Sequence, residues 1–438
     1  MISRRALLHS SIAASAALLA RARIVAAQAP HPDPTARPSA PIKPMKLTRG
    51  RAVAGAPYTP VVMPNGSTLP FETKAGVKVF HLTAQPVTHE IAPGLETVAW
   101  GYNGMTPGPL IECVEGDQLR FYVTNKLPEP TSVHWHGVIL PNGMDGVAGL
   151  TQKRIGVGET FRYEFTMRKA GTFMYHPHFD EMTQIALGMV GMIVVHPRRQ
   201  SARRVRDYSL MAHEWMIPIG ARRPDPMAMS DFNVLTFNHK AFPATEPLVA
   251  ELGELVRIRL GNLGPMDHHP LHLHGYAFEV TETDGGTIPR SARHRDTTTL
   301  LPVGATRVIE FVADNPGDWA FHCHMTHHVM NQMGHATANL VGADTQGLDA
   351  RVGRVVPGYM TMGASGMGDM HAMQLPANSI SMLGGDGPFG KIDMGGMFTI
   401  LKVRKQLGTE DPGWYEHPAG SVAALATAAE LARDGIKP

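Results

Sequence analysis

The strongest constraint on the fold of this chain is an internal repeat. Gly116-Asp117-Gln118-Leu119-Arg120 leads through Asn125 to His134-Trp135-His136-Gly137, and Gly253-Glu254-Leu255-Val256-Arg257 leads through Asn262 to His272-Leu273-His274-Gly275. Further on, Gly158 and Gly171 precede His176-Pro177-His178, while Gly304 and Gly317 precede His322-Cys323-His324, with the same spacings in both copies. Between the motifs, Phe161, Tyr163, Phe165 and Met167 alternate with Arg162, Glu164 and Thr166, and Val256, Ile258 and Leu260 alternate with Arg257 and Arg259. Period-two alternation broken by Gly and Pro turns predicts half-buried strands of a sandwich or barrel. The chain is therefore expected to be all-β, with two copies of one domain offset by about 140 residues, near 75–198 and 205–345. Residues 30–74, rich in Pro, Ala and Arg, read as an irregular lead-in. Residues 346–438 read as a Met- and Gly-rich C-terminal extension, with a strand around Phe398-Thr399-Ile400-Leu401-Lys402-Val403 and a helical end.

Four His-x-His pairs occupy equivalent places in the repeat: His134/His136, His176/His178, His272/His274 and His322/His324. Residues i and i+2 of a strand share a face, so each pair offers two imidazoles to one side. A lone pair of this kind says little, but four at matched positions imply a metal cluster of about three ions. The second copy adds a different set. Cys323, His328 and Met333, with His269, supply thiolate, imidazole and a weak thioether, the donors of a mononuclear blue-copper site. Aligning the copies puts Thr131 opposite His269, Pro177 opposite Cys323, Met182 opposite His328 and Leu187 opposite Met333, so only the second carries that site. The 438 residues include 23 His and 26 Met against 2 Cys, donors that favour copper over hard cations. Pairing Cys113 with Cys323 in a disulfide would remove the thiolate from the densest histidine run, so both are expected to be free. Cys113 reads as a small buried hydrophobe.

These motifs, with Tyr102-Asn103-Gly104, Pro107-Gly108-Pro109 and His269-Pro270-Leu271-His272-Leu273-His274-Gly275, resemble the multicopper oxidase family over roughly residues 75 to 345. The resemblance implies two cupredoxin-like Greek-key sandwiches and four copper ions per functional unit. It implies type 1 copper at His269, Cys323, His328 and Met333, and type 2 copper at His134 and His272. It assigns the type 3 pair to His136, His176, His178, His274, His322 and His324. Cys323 would carry electrons to the cluster through its neighbours His322 and His324. Asp145, in Met144-Asp145-Gly146, resembles the family's carboxylate near type 2 copper, whereas Met325 and Thr326 stand where many relatives place a second acid. The short segment between the copies resembles the two-domain, small-laccase type, which implies a homotrimer with clusters between subunits.

The expected reaction couples one-electron oxidation of a donor to reduction of dioxygen to water. Met360, Met362, Met367, Met370, His371 and Met373 form a candidate cuprous-substrate loop, since thioethers suit soft ions. That reading extends to copper tolerance, with phenols as the other donor class. Two alternatives are a copper nitrite reductase, against which Thr131 and Pro177 argue, and a passive copper carrier, which leaves the paired histidines without a purpose. A net charge of +2 points to no nucleic-acid partner. Met1-Ile2-Ser3-Arg4-Arg5 before an Ala-rich apolar run, with Ala27-Gln28-Ala29 after it, reads as an export signal over residues 1–29 of twin-arginine type. Beyond residue 30 no apolar stretch is long enough to span a bilayer, so a periplasmic or secreted protein is expected.

Overall fold

The computed structural model describes residues 47–49, 58–199, 205–218, 220–332, 350–351, 354–355 and 377–437. The export signal, Met333 and the Met360–Met373 group lie outside these residues. In the first half, β1 (Phe71–Lys74), β2 (Val77–Ala92), β3 (Leu95–Tyr102), β4 (Ile111–Val114), β5 (Gln118–Asn125), β6 (His134–His136), β7 (Thr160–Thr166), β8 (Gly171–His176) and β9 (Gly191–His196) form two sheets. Their orders are β1-β2-β5-β7, with β3 on β2, and β4-β9-β8-β6.

The second half opens with β10 (Val205–Trp215), β11 (Val234–Phe237), β12 (Leu248–Glu251), β13 (Leu255–Asn262), β14 (His269–Leu273) and β15 (Phe278–Thr283). It continues with β16 (Gly286–Thr287), β17 (Arg295–Asp296), β18 (Thr298–Leu301), β19 (Thr306–Val312) and β20 (Gly317–Cys323). A small hairpin of β21 (Asp386–Gly387) and β22 (Gly390–Lys391) precedes β23 (Phe398–Arg404). The sheets run β11-β10-β13-β19-β15-β16, with β17 on β15, and β12-β23-β20-β14-β18.

The repeat is visible strand by strand. Asn125 pairs with Ala84 and Asn262 with Ala212 in equivalent parallel ladders. Each Asn turns its side chain back on the following loop, accepting from Leu127 N–H in one copy and from Gly264 N–H in the other. Alternation drives both cores. In the first, Phe80, Phe121, Trp135 and Phe165 stack with centroids 4.3–5.8 Å apart, so Trp135 anchors its strand inward between His134 and His136. Leu273, also buried, does the same between His272 and His274.

The limits of the two halves differ from those read in the sequence. Residues before 75 are not merely a lead-in: Val61 and Met63 are buried, Val62 bridges to Tyr208, and β1 pairs with β2. More consequentially, Phe398–Arg404 does not belong to an appendage. It is an inner strand of the second sandwich, parallel to β12 and antiparallel to β20, in the place that β9 holds between β4 and β8 in the first. Gly171 pairs with Val195, 24 positions on, and Gly317 with Val403, 86 positions on. The second copy thus carries 62 additional residues (86 less 24) in the connection that follows Cys323. The repeat does not stop near 345; an insertion separates its last strand from the rest.

The β8–β9 face of the first half packs on β10, β13 and β19 of the second. Backbones meet at Gly171 and Gly285, where a Cβ on Gly171 would lie 2.6 Å from the Gly285 carbonyl oxygen and φ is +152°. Buried Arg259 donates to Asp207 at 2.8 and 2.9 Å and to Thr172 of the first half at 2.8 Å. Burial favours protonation of Asp207, but Arg259 and Arg257 outweigh it and hold the carboxyl below its usual range. Such a group contributes stability above its unfolded pKa, about 3.9, and loses it as pH falls through the lower folded value. Asp207→Asn is expected to cost about 3–5 kcal/mol at neutral pH by stranding Arg259. The difference from wild type should shrink in urea titrations below about pH 4.

Candidate metal centres

Three groups of soft donors are built on two antiparallel strand registers. In the first half β6 pairs with β8 so that His134 faces His176, and in the second β14 pairs with β20 so that His272 faces His322. Ligand atoms of His134, His136 and His176 all lie within 4.8 Å of one another, with His136 Nδ1 3.3 Å from His176 Nε2. His178 joins them, its ring centroid 5.6 Å from that of His134. The second-half group repeats this arrangement. His274 Nε2 is 3.1 Å from His322 Nε2, and the His272 ring is 5.3 Å from that of His324.

Hydrogen bonds fix which nitrogens face inward. His176 and His322 donate Nδ1–H to the carbonyls of Pro177 and Cys323, both at 2.8 Å. His134 donates Nδ1–H to the Asp145 carbonyl at 2.8 Å, and His272 to that of Thr297 at 2.7 Å. Each of these rings is left with a bare Nε2. Burial first, then neighbouring imidazoles, push His176 down to about 3; the same causes lower His136, His274 and His322. Neutral rings are the metal-binding form.

The third group is buried. His269 and His328 bring their Nδ1 atoms to 3.2 Å, and Cys323 Sγ lies 3.4 Å from His328 Nδ1 and 3.8 Å from His269 Nδ1. Burial pushes the Cys323 thiol up to about 12, while burial and His269 push His328 down to about 4. A metal must therefore displace a thiol proton to bind here. Both cysteines are free. In the first half, Thr131 at the position of His269 instead donates its hydroxyl to Gln184 Oε1 at 2.7 Å, so the vacated site is closed by a neutral hydrogen bond.

Imidazole and thiolate nitrogen and sulfur donors, arranged as one Cys/His₂ group and two His-rich groups, fit copper. Profiles of the multicopper oxidases match residues 83–200 and 218–342, more than half of the 438 residues. The chain belongs to the multicopper oxidases. Laccase-2 of Cryptococcus neoformans var. grubii is 36% identical over 155 residues, covering 31% of this chain and 26% of that protein. Copper resistance protein A of Escherichia coli is 38% identical over 123 residues, covering 28% and 20%. This multicopper oxidase thus spans about a quarter or less of those curated relatives. Among solved structures, the multicopper oxidase mgLAC superposes with a TM-score of 0.56 at 26% identity, covering 79% of this chain and 91% of that one.

All of the expected histidines that the structure describes fall in these groups, and Asp145 lies beside His134, its Oδ1 3.5 Å from His134 Nδ1. Sequence reasoning missed three carboxylates. Glu181 lies 3.4 Å from His176 Nδ1 and 3.7 Å from His178 Nε2. Glu214 lies 3.4 Å from His269 Nε2, and Asp267 3.6 Å from His328 Nε2. Glu214 and Asp267 thus flank the Cys/His₂ group. Glu181, three residues after His178, was the one visible in spacing; Glu214 and Asp267 reach His269 and His328 only through the fold.

Gly146, with φ +89°, allows the Asp145 carbonyl to reach His134. A Cβ there would fall 1.8 Å from the Val133 carbonyl oxygen and 2.9 Å from His134 Cα. Gly146→Ala should displace His134 and lower the copper bound per chain, measured by elemental analysis, while the Cys323 absorption persists.

Proposed function

We propose that this protein is a laccase-like oxidase that takes single electrons from a small donor and reduces dioxygen to water. The observation that carries this is the position of Cys323: its Sγ belongs to the buried Cys/His₂ group, while its chain neighbours His322 and His324 belong to a histidine cluster. Bound copper supplies one-electron redox chemistry at the former and four-electron dioxygen reduction at the latter. His269, Cys323 and His328, with Met333, hold type 1 copper. His134 and His272 hold type 2 copper. The pair of type 3 ions is held by His136, His176, His178, His274, His322 and His324.

The chain's own groups divide the remaining work. Cys323 and its two peptide neighbours form a short covalent path between centres. His269 is fully buried, whereas the His328 side chain is 11% exposed, so the His328 edge is where a donor makes contact. Asp145, 30% exposed at its side chain and beside His134, moves protons between solvent and the type 2 position. Met266 and Met325, both exposed, flank the His328 edge together with Asp267, a mixed thioether and carboxylate surface that suits cuprous ion better than a bare phenol pocket. Relatives named copper resistance protein A support a role in copper tolerance.

The trinuclear site forms between subunits of a homotrimer. Among the described residues, ring contacts join the paired cluster histidines within each half but not across the halves. The first half packs on β10, β13 and β19, while His272 and His322 lie in the other sheet of that sandwich. Exposed Met182 and Leu150 near one half-site, and Leu300 near the other, are surface for a neighbouring copy to cover. The Ser3-Arg4-Arg5 segment and the apolar run after it support export to the periplasm or beyond by the twin-arginine route. No helix among the described residues is long and apolar enough to cross a membrane.

Dioxygen uptake by the copper-loaded protein should occur with cuprous ion or a phenol as donor and stop in Cys323→Ser, which should keep its histidine-bound copper. Undiminished uptake in that variant would overturn the electron path. Co-expressing a His134→Ala/His176→Ala chain with a His274→Ala/His322→Ala chain should restore part of the uptake that each lacks alone. No recovery in mixed oligomers would place the cluster within one chain.

A further inference from the structure

The buried carboxylate of Glu214 has no role in the chemistry so far described. It lies on β10 with no exposure, yet three donors converge on it. Met266 N–H and Asp267 N–H reach Oε1 at 2.6 and 2.8 Å, and His269 Nε2 lies 3.4 Å from Oε2. No lysine or arginine is among its partners in the described residues; His269 and His213 act on it, and it acts in turn on Asp267, Cys323 and His328. A carboxylate taken wholly out of water is costly unless a positive charge compensates it. The nearest place for such a charge is beyond the His269 ring, where Nδ1 faces Cys323 and His328.

The internal repeat supplies an independent observation. The ladder that pairs Ala212 with Asn262 is equivalent to the one pairing Ala84 with Asn125, so Glu214 corresponds to Pro86. Gly264 corresponds to Leu127 by the matching Asn contacts. A Cβ on Gly264 would lie 1.7 Å from Glu214 Oε2, so the carboxylate needs a glycine there. The first half, which has Thr131 in place of His269 and Pro177 in place of Cys323, has neither the carboxylate nor the glycine. Glu214 and Gly264 thus accompany the Cys/His₂ set within one chain, as parts of a single device.

We propose that Glu214 is a positioning residue for the type 1 centre: it holds His269 with Nε2–H directed to the carboxylate and the Nδ1 lone pair directed at the metal, and its charge favours the oxidised ion. This rests on the type 1 reading given above. The backbone donors come from the loop immediately before His269, so the carboxylate fixes both the ring and the segment that carries it. An anion beyond a ligating imidazole strengthens that ligand and stabilises the more positive oxidation state by Coulomb attraction.

The test is the type 1 reduction potential of the copper-loaded full chain, followed through the thiolate absorption, in wild type, Glu214→Gln and Glu214→Asp. Glu214→Gln should lower the cupric-over-cuprous preference by at least about tenfold, an upward shift of about 59 mV, and Glu214→Asp should restore part of it. A blue Glu214→Gln protein with an unshifted potential overturns the proposal and leaves the type 1 reading intact. A wild type that never turns blue removes the type 1 reading and this proposal with it. If Glu214→Gln does not fold, ¹⁵N-histidine spectra of the copper-free wild type decide. A protonated Nε2 and bare Nδ1 on His269 support the proposal; a protonated Nδ1 overturns it.

Discussion

The register between β14 and β20 is the constraint on which the rest of this molecule depends. It sets Leu271 opposite Cys323, His272 opposite His322 and Leu273 opposite Phe321. Because side chains alternate across a sheet, His269, Leu271, Leu273, Phe321 and Cys323 take the inner face, and His272, His274, His322 and His324 take the outer one. The buried donor group and the histidine cluster are therefore opposite faces of one strand pair, one peptide apart. A slip of one residue would send the cluster histidines into the core and the thiol and His269 to solvent. Leu273, Phe321 and the Phe237 ring stacked 5.6 Å from Phe321 oppose that slip by hydrophobic burial, so the geometry of the metal chemistry is held by apolar packing rather than by the metals.

The first half shows what the same register does without the second set of ligands. His134 and His176 face each other as His272 and His322 do, and the carbonyls that accept from His176 and His322 are equivalent. Inward, Pro177 replaces the thiol, and Thr131 and Gln184 satisfy each other. A buried site stripped of metal leaves polar groups that must find partners, and here one side chain from the loop before β6 and one from the helix Glu181–Ala186 meet that need. The carboxylate and the glycine that support the second site are gone as well. The two halves thus differ not only at the candidate ligands but also at the groups packed around them.

Much of this was legible in the sequence, because the repeat marks positions rather than compositions. The four His-x-His pairs, the all-β pattern and the restriction of the Cys set to one copy all follow from spacing along strands. Contacts made by strands distant in sequence were not legible. Glu214 approaches His269 across 55 positions, and nothing near either residue signals the meeting. Not every methionine bears on copper chemistry. Met63, Met167, Met174, Met189, Met192, Met211 and Met397 are buried, and Met63, Met174, Met192 and Met211 share one apolar cluster where the halves meet. Their flexible side chains fill an irregular junction.

The insertion after Cys323 hid the last strand of the second sandwich, and its placement has a physical logic. Lengthening a connection costs little, since closure entropy grows only with the logarithm of length, provided that both ends are held. Here they are held beside the Cys/His₂ group. Asn331 donates to the Phe242 and Ser381 carbonyls, and the Gln332 side chain accepts from Ile380 N–H. On the far side, the Met397 carbonyl accepts from Cys323 N–H, and Met397 N–H donates to the His328 carbonyl. The strand that closes the sheet is thus bonded directly to two of the metal-binding residues. The chain can vary the inserted segment while the backbone that fixes Cys323 and His328 stays pinned at both ends.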